Sequence, residues 1–343
     1  MNKILTKNLS KQNILVDNHG RTINYLRLSV TDRCNYRCTY CMPEKMKFLP
    51  KKDLLTFEEM DHLCSLFIAR GITNIRLSGG EPLVRKGILK FISNLSRYIV
   101  SGDLNEITLT TNGSQLKSLS EDLFRSGVRR VNVSLDSLSE KKFSKITRRD
   151  DLCNVIEGLE AAKKAGLKIK INTVVIKNKN LDEIDNIISW SHKNNFDISL
   201  IETMPMGLTD KDRIDQYISL SDVKKIIEKK LTLIDSNYKT SGPSKYYEVK
   251  ETKGLIGFIT PLSNNFCASC NRIRLTSTGK LYMCLGQNNN IDFRNLLREG
   301  DKKSLNLAID TAMKNKPKSH DFDISYKNQY YYFARGTYIV FPY

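Results

Sequence analysis

Short β-type runs alternate with amphipathic helical runs from about residue 20 to residue 235, and this alternation limits the fold more than any other feature of the chain. Ile23–Val30, Thr73–Leu77, Glu106–Thr110, Arg130–Leu135, Lys168–Val175 and Asp197–Glu202 read as strands. The segments between them carry helix start and stop signals. Thr56 followed three residues later by Glu59 forms a capping pattern with Gly71 at the far end, and the run from Asp151 to Ala165 closes on Gly166. Strands separated by helices must pair in parallel through right-handed crossovers, so a curved parallel sheet or partial barrel is expected. Ligands in such sheets collect at the C-terminal ends of the strands. Cys34, Gly79, Thr110, Ser134 and Met204 all fall at or just past those ends, which directs them to one mouth.

Cys34, Cys38 and Cys41 form a C-x3-C-x2-C run directly after the first strand. Iron–sulfur cubes are held by thiolates and normally take four, so three cysteines without a nearby fourth leave one iron open to an external ligand. Zinc fits this pattern poorly because its sites favour four ligands in paired C-x2-4-C units. A second triad, Cys267, Cys270 and Cys284, has C-x2-C-x13-C spacing and again lacks an evident fourth thiol. Of the remaining two cysteines, Cys64 shares a helical stripe with Met60 and Phe67, and Cys153 starts a helix beside Leu152 and Ile156. Both read as packing residues.

A chain of 343 residues exceeds the usual size of one core, which suggests a large barrel plus a smaller appendage. The pattern changes beyond Lys230 to a polar stretch, Asp235–Lys245, and then to short β-like runs at Tyr246–Val249 and Leu255–Thr260. Residues 1–235 are therefore assigned to the barrel and 236–343 to a C-terminal domain. The net charge of +18 is spread along the chain without blocks or basic-aromatic repeats, which argues against a nucleic-acid partner. A small polyanion needs only a few converging Arg and Lys side chains. There is no uncharged run of about 18 residues and no extended apolar opening, so no membrane association and a cytoplasmic location are expected. Thiols in such a reducing compartment serve as metal ligands in preference to disulfides.

The C-x3-C-x2-C run, with Ser78-Gly79-Gly80-Glu81-Pro82 in register after it, resembles the signature of the radical S-adenosylmethionine (SAM) superfamily. The run Tyr25-Leu26-Arg27-Leu28-Ser29-Val30-Thr31-Asp32-Arg33-Cys34-Asn35 adds to the likeness. So do the later Phe266-Cys267-Ala268-Ser269-Cys270-Asn271-Arg272-Ile273-Arg274-Leu275 and Gly279-Lys280-Leu281-Tyr282-Met283-Cys284-Leu285. Together they resemble the GTP 3′,8-cyclase (MoaA) family over about residues 12 to 320. The resemblance implies a partial (β/α)6 barrel of the radical SAM type with a smaller C-terminal α+β domain carrying a second Fe–S cluster. It implies two [4Fe-4S] clusters, on Cys34, Cys38 and Cys41 and on Cys267, Cys270 and Cys284, together with bound SAM. SAM contacts are implied for Tyr40, the Gly80 backbone, the Glu81 carboxylate, Ser134 and the Met204 backbone. GTP contacts are implied for Arg27, Arg76, Thr110, Lys170, Arg272, Ile273 and Arg274. The implied activity is abstraction of the ribose C3′ hydrogen of GTP by a SAM-derived radical, followed by closure onto guanine C8, in molybdopterin biosynthesis. An electron donor such as flavodoxin or ferredoxin is implied, and a homodimer is considered.

The chain departs from the family pattern in three places. Ser199 stands where an arginine is usual, Asn74 where a lysine is frequent, and the C-terminus reads Gly336-Thr337-Tyr338-Ile339-Val340-Phe341-Pro342-Tyr343 where the family ends in two glycines. A related enzyme acting on another nucleotide therefore stays open at this stage, as does a non-catalytic iron–sulfur protein.

Overall fold

The computed structural model describes residues 14–205 and 214–322. Six strands form the centre of one sheet: β1 (Tyr25–Ser29), β2 (Asn74–Ser78), β3 (Glu106–Thr111), β4 (Arg130–Ser134), β5 (Lys168–Val175) and β6 (Asp197–Glu202). Each pairs in parallel with the next. Between them run α1 (Phe57–Ala69), α2 (Ile88–Val100), α3 (Leu116–Arg125), α4 (Glu140–Thr147), α5 (Leu152–Lys164) and α6 (Ile184–Lys193). The expected strands and these agree to within about two residues, the usual uncertainty of element ends.

Alternation along the strands sorts side chains to two faces. On β1, Leu26 and Leu28 enter the fully buried apolar layer beneath the helices, while Tyr25 and Arg27 line a cavity on the opposite side. The expected cap of α1 is present, with the Thr56 hydroxyl accepting from Glu59 N at 3.1 Å and Thr56 N donating to the Glu59 carboxylate at 2.7 Å. Cys64 packs in the core as expected. Cys153 does not. It is exposed, with its thiol 3.8 Å from Glu157, because the face of α5 that enters the core is carried by Leu152, Val155 and Leu159.

An open six-stranded sheet leaves two rows of unpaired backbone groups at its edges. In this fold the later part of the chain covers both. α7 (Leu220–Ile227) leads to β7 (Leu233–Asp235), β8 (Lys245–Val249) and β9 (Leu255–Ile259), and β9 pairs in parallel with β6. The chain then crosses to the other edge, where β10 (Arg272–Leu275) pairs in parallel with β1 and continues antiparallel into β11 (Lys280–Tyr282) and β12 (Asn290–Asp292). α8 (Phe293–Glu299) and α9 (Lys302–Lys314) follow. The strand order is therefore β12-β11-β10-β1-β2-β3-β4-β5-β6-β9-β8-β7 in one twelve-stranded sheet. The C-terminal strands extend the barrel sheet from both sides.

Gly79 and Gly80 fix how the loop after β1 meets the loop after β2. Gly79 has φ +140°, a region that side chains disfavour, and a Cβ on it would collide with the Thr31 carbonyl. A Cβ on Gly80 would collide with the Arg33 carbonyl. Gly80 N donates to Thr31 O at 2.9 Å and Glu81 N to Arg33 O at 2.8 Å, so the approach is held by backbone bonds. The substitution Gly80→Ala is predicted to lower stability by about 1–3 kcal/mol through overpacking. Chemical denaturation of the metal-free protein checks this, and an unchanged midpoint would contradict it.

Candidate active site

The loop that follows β1 is tied down at several points. Its first bond is Val30 N to Ser78 O at 2.8 Å. Asp32 accepts from Leu49 N at 2.7 Å, and the Arg37 guanidinium donates to the carbonyls of Cys34 and Tyr36 at 2.6 and 2.7 Å. Two phenols reach outward from it: Tyr36 donates to Asp151 at 2.6 Å and Tyr40 to Asp136 at 2.7 Å. So held, Cys34, Cys38 and Cys41 line one cavity together with Tyr36, Tyr40, Gly80, Thr110, Ser134 and Asn172. This brings together four of the five residues placed at the strand ends by sequence, counting the glycine pair as one.

No disulfide engages these thiols. Burial pushes the Cys34 thiol up to about 12, and burial together with the neighbouring Cys41 and Cys34 raises Cys38 well above the ordinary thiol value. Left to themselves Cys34 and Cys38 hold their protons; a metal centre would displace them. The Thr110 hydroxyl and the Asn172 side-chain oxygen are buried in the same cavity without a partner among the described residues. Three thiols held in no disulfide, beside these two polar atoms, fit an iron–sulfur cluster with a polar molecule bound next to it.

Glu81 has partners within the protein that the sequence did not point to. Its carboxylate is buried and accepts from Leu83 N at 3.0 Å, Thr111 Oγ1 at 2.8 Å and Asn112 N at 2.6 Å. Burial raises it to about 7 in spite of those bonds. It clips the loop after β2 to the end of β3, and the cavity wall is formed by Gly80. Met204 lies one cavity away, in the wall of the chamber described next.

A second cavity encloses about 990 Å³ of atom-free space, its open mouth included. Cys267, Cys270 and Cys284 line it, and Asn172 and Ile201 are common to both cavities. The electrostatics differ from those of the first triad. Burial would raise Cys270, but the charges of Arg272, Lys316 and Arg274 outweigh it and hold the thiol at about 6. Burial likewise opposes the lowering of Cys267, which comes from hydrogen bonds with His320, whereas at Cys284 burial wins and the value is raised.

Arg27, Arg76, Lys170, Arg272 and Arg274 all line this second cavity. Strand register explains their convergence, since Arg27 lies opposite Arg76 on β2 and opposite Arg274 on β10, while Tyr25 lies opposite Arg272. Arg27 Nε reaches Ser78 Oγ at 3.4 Å and Arg76 Nε reaches Thr108 Oγ1 at 3.3 Å. Lys170 Nζ donates to the Tyr246 hydroxyl at 2.8 Å. Arg76 lies over the Tyr25 ring at 5.6 Å and Arg272 over Phe266 at 4.9 Å. Among the described residues none of the five has a carboxylate within ion-pair distance, although Arg130 on the same sheet pairs with Glu106 at 2.8 Å. Arg27 Nη2, Arg272 Nε and Arg274 Nε are buried without a partner among the described residues. Burial, then the charges of Arg274 and Arg76, depress Arg27 to about 9, and burial lowers Lys170 and Arg274 as well. Such a row of unpaired cations carries a large cost unless an anion occupies the space between them.

Not every expected contact reaches the chamber. Ile273 sits between its two arginines on β10, and strand alternation turns its side chain into the apolar core, fully buried. Thr110 lines the first cavity and not the second. Asn74 and Ser199 line neither. Asn74 Nδ2 donates to Thr73 Oγ1 at 3.0 Å, and Ser199 is fully buried 3.1 Å from the Ser244 hydroxyl against Gly257. The tail Gly336–Tyr343 lies outside the described residues. Asn172, Tyr246, Phe266, Lys316 and His320 were not expected from sequence; only Phe266 adjoins a cysteine motif, and the others, far from any, give no spacing signal.

Residues 28–191 match the family model of the radical SAM superfamily, and residues 196–322 match the model described as Molybdenum Cofactor Synthesis C. Curated proteins named GTP 3′,8-cyclase from Brucella ovis and Brucella canis are each 56% identical over 311 residues, covering 90% of this chain and 90% of theirs. Among solved structures, Streptococcus suis SuiB bound to S-adenosylmethionine superposes with a TM-score of 0.59 at 16% identity, covering 85% of this chain and 69% of that one. Native anSMEcpe with bound AdoMet gives 0.57 at 15% identity, covering 84% and 82%. These two likenesses concern the fold. The chain belongs to the GTP 3′,8-cyclase family of the radical SAM superfamily.

Proposed function

We propose that this chain catalyses the first step of molybdopterin biosynthesis, in which hydrogen leaves the ribose C3′ of GTP and C3′ becomes bonded to guanine C8. Relatives named for this activity at 56% identity support the assignment. The observation that carries the choice of substrate is the row of five cations, Lys170, Arg272 and Arg274 buried and Arg27 and Arg76 partly buried, without carboxylate partners among the described residues, which suits a triphosphate. We assign one [4Fe-4S] cluster and SAM to the cavity of Cys34, Cys38 and Cys41, and a second cluster to Cys267, Cys270 and Cys284. When bound, the first cluster and SAM supply a 5′-deoxyadenosyl radical.

The protein's part is to bind, orient and seclude. Tyr40, the Gly80 backbone, Ser134, Thr110 and Asn172 would hold SAM beside the first triad, with Glu81 keeping the Gly80 loop in place. Arg27, Arg76, Lys170, Arg272 and Arg274 would clamp the phosphates, and Met204 would close the wall between the cavities. The common wall of Asn172 and Ile201 supports a short path between the SAM carbon and the ribose. Filling the second cavity with substrate would limit access of solvent, which would otherwise quench a radical. We assign residues 1–235 to SAM handling and 236–343 to the second cluster and substrate enclosure. An electron donor such as flavodoxin or ferredoxin is required to start each turnover, and a homodimer remains part of the proposal. Eight cysteines with no disulfide among them suit a reducing cytoplasm. No helix among the described residues is long and apolar enough to cross a membrane.

Anaerobic incubation with SAM, a strong reductant and GTP is predicted to yield 5′-deoxyadenosine and a cyclised GTP product, followed by mass analysis of the nucleotides. Deoxyadenosine formed while GTP is not consumed would refute the substrate assignment. Replacing one charged contact, as in Arg274→Met, is predicted to raise the KM for GTP by roughly 10–100-fold, the worth of a charge-assisted hydrogen bond of about 1.5–3 kcal/mol. SAM binding, followed through the cluster spectrum, should change less than twofold. A variant that loses SAM binding in proportion to GTP would count against separate roles for the two cavities.

A further inference from the structure

One buried cation beside Cys270 is given no role in the proposed function. Lys316, just past α9, is 2% exposed. Its ammonium donates to the Arg272 carbonyl at 2.9 Å and the Met283 carbonyl at 2.6 Å, and lies 3.7 Å from the Cys270 sulfur. Arg272 closely follows Cys270 and Met283 immediately precedes Cys284, so a single side chain joins the two separate segments that carry the second triad. Its own position is secured in turn. Arg21, paired with Asp17 at 2.6 Å, donates to the carbonyls of Cys267, Pro317 and Lys318 at 2.7, 2.6 and 2.8 Å. His320 Nε2 donates to Pro261 O at 2.7 Å, and a Cβ on Gly286 would stand 2.7 Å from His320 Cβ, so the turn after Cys284 leaves room for this segment only with glycine there.

We infer that Lys316 is a positioning residue for the second metal centre. It holds the Cys267–Cys270 turn and Cys284 in register, and its charge offsets part of the negative charge that three thiolates bring. A buried ammonium is costly unless its donors are taken up. Two carbonyls and a sulfur take them up here, so the site is built around the charge. The inference rests on the reading that Cys267, Cys270 and Cys284 hold a cluster.

The test uses the full chain with Cys34, Cys38 and Cys41 all replaced by alanine, so that only the second triad can hold iron. After anaerobic reconstitution this protein should bind about four irons. Adding K316M is predicted to speed iron loss to a chelator by roughly 10–100-fold, the usual effect of removing a group that supports metal ligands. It should also make the cluster's reduction midpoint more negative, because a nearby positive charge favours the more negative reduced form; a lysine that only fills space would leave the midpoint unchanged. Four irons bound with equal chelator loss and equal midpoint in K316M would overturn the role of Lys316 while leaving the cluster in place. If the triple-alanine protein binds no iron, the cluster reading fails and the inference falls with it. If K316M does not accumulate as folded protein, hydrogen exchange on the triple-alanine protein decides. Amides of residues 316–322 should gain protection on reconstitution, and unchanged exchange there would overturn the inference.

Discussion

The parallel pairing of β10 with β1 is the constraint from which the rest follows. It covers an open edge of the barrel sheet, and in doing so it sets Arg274 beside Arg27 and Arg272 beside Tyr25. With Arg76 aligned on β2, four guanidinium groups are brought to one wall by backbone register alone. The same strand begins just after Cys270, so the second triad is carried to that wall by the pairing that positions the arginines. A slip of one residue would send the arginines into the apolar layer and Ile273 into the chamber. Fully buried Leu26 and Leu28 on β1, with Ile273 and Leu275 on β10, oppose such a slip.

The two cysteine triads share a pattern of three thiols but sit in different fields. At the first, burial raises Cys34 and Cys38, and the carboxylates of Glu81 and Asp136 push the same way. At the second, arginine and lysine charges surround Cys270 and favour the thiolate. The contrast follows from what each cavity has to accommodate. Next to the first triad stand orphaned hydroxyl and amide groups suited to a polar molecule of little net charge; next to the second stand cations suited to an anion.

Much of this was legible in the sequence because it is local. Strand and helix limits follow from periodicity and capping, and the cysteine spacings and the arginines of β10 announce themselves in short runs. What was not legible is long-range. Nothing near Leu255–Ile259 or Arg272–Leu275 tells a reader that one run covers the β6 edge and the other the β1 edge, because strand pairing between distant segments leaves no local mark. Glu81 illustrates a different limit. A carboxylate next to a glycine pair suggests a ligand contact, and its oxygens also accept from Leu83, Thr111 and Asn112, two of which only the fold brings near. Lys316 is one lysine among many in the sequence, and its burial between two carbonyls depends on the whole C-terminal crossing.

The account turns on a chamber built to neutralise several negative charges at once. The most direct measurement is the affinity of the anaerobically reconstituted protein for guanosine, GMP, GDP and GTP at constant ionic strength, with inorganic triphosphate as competitor. Affinity should climb with each added phosphate, and triphosphate alone should displace GTP. Equal affinity across the series, with no competition from triphosphate, would contradict the claim that the buried cations exist to hold a polyphosphate.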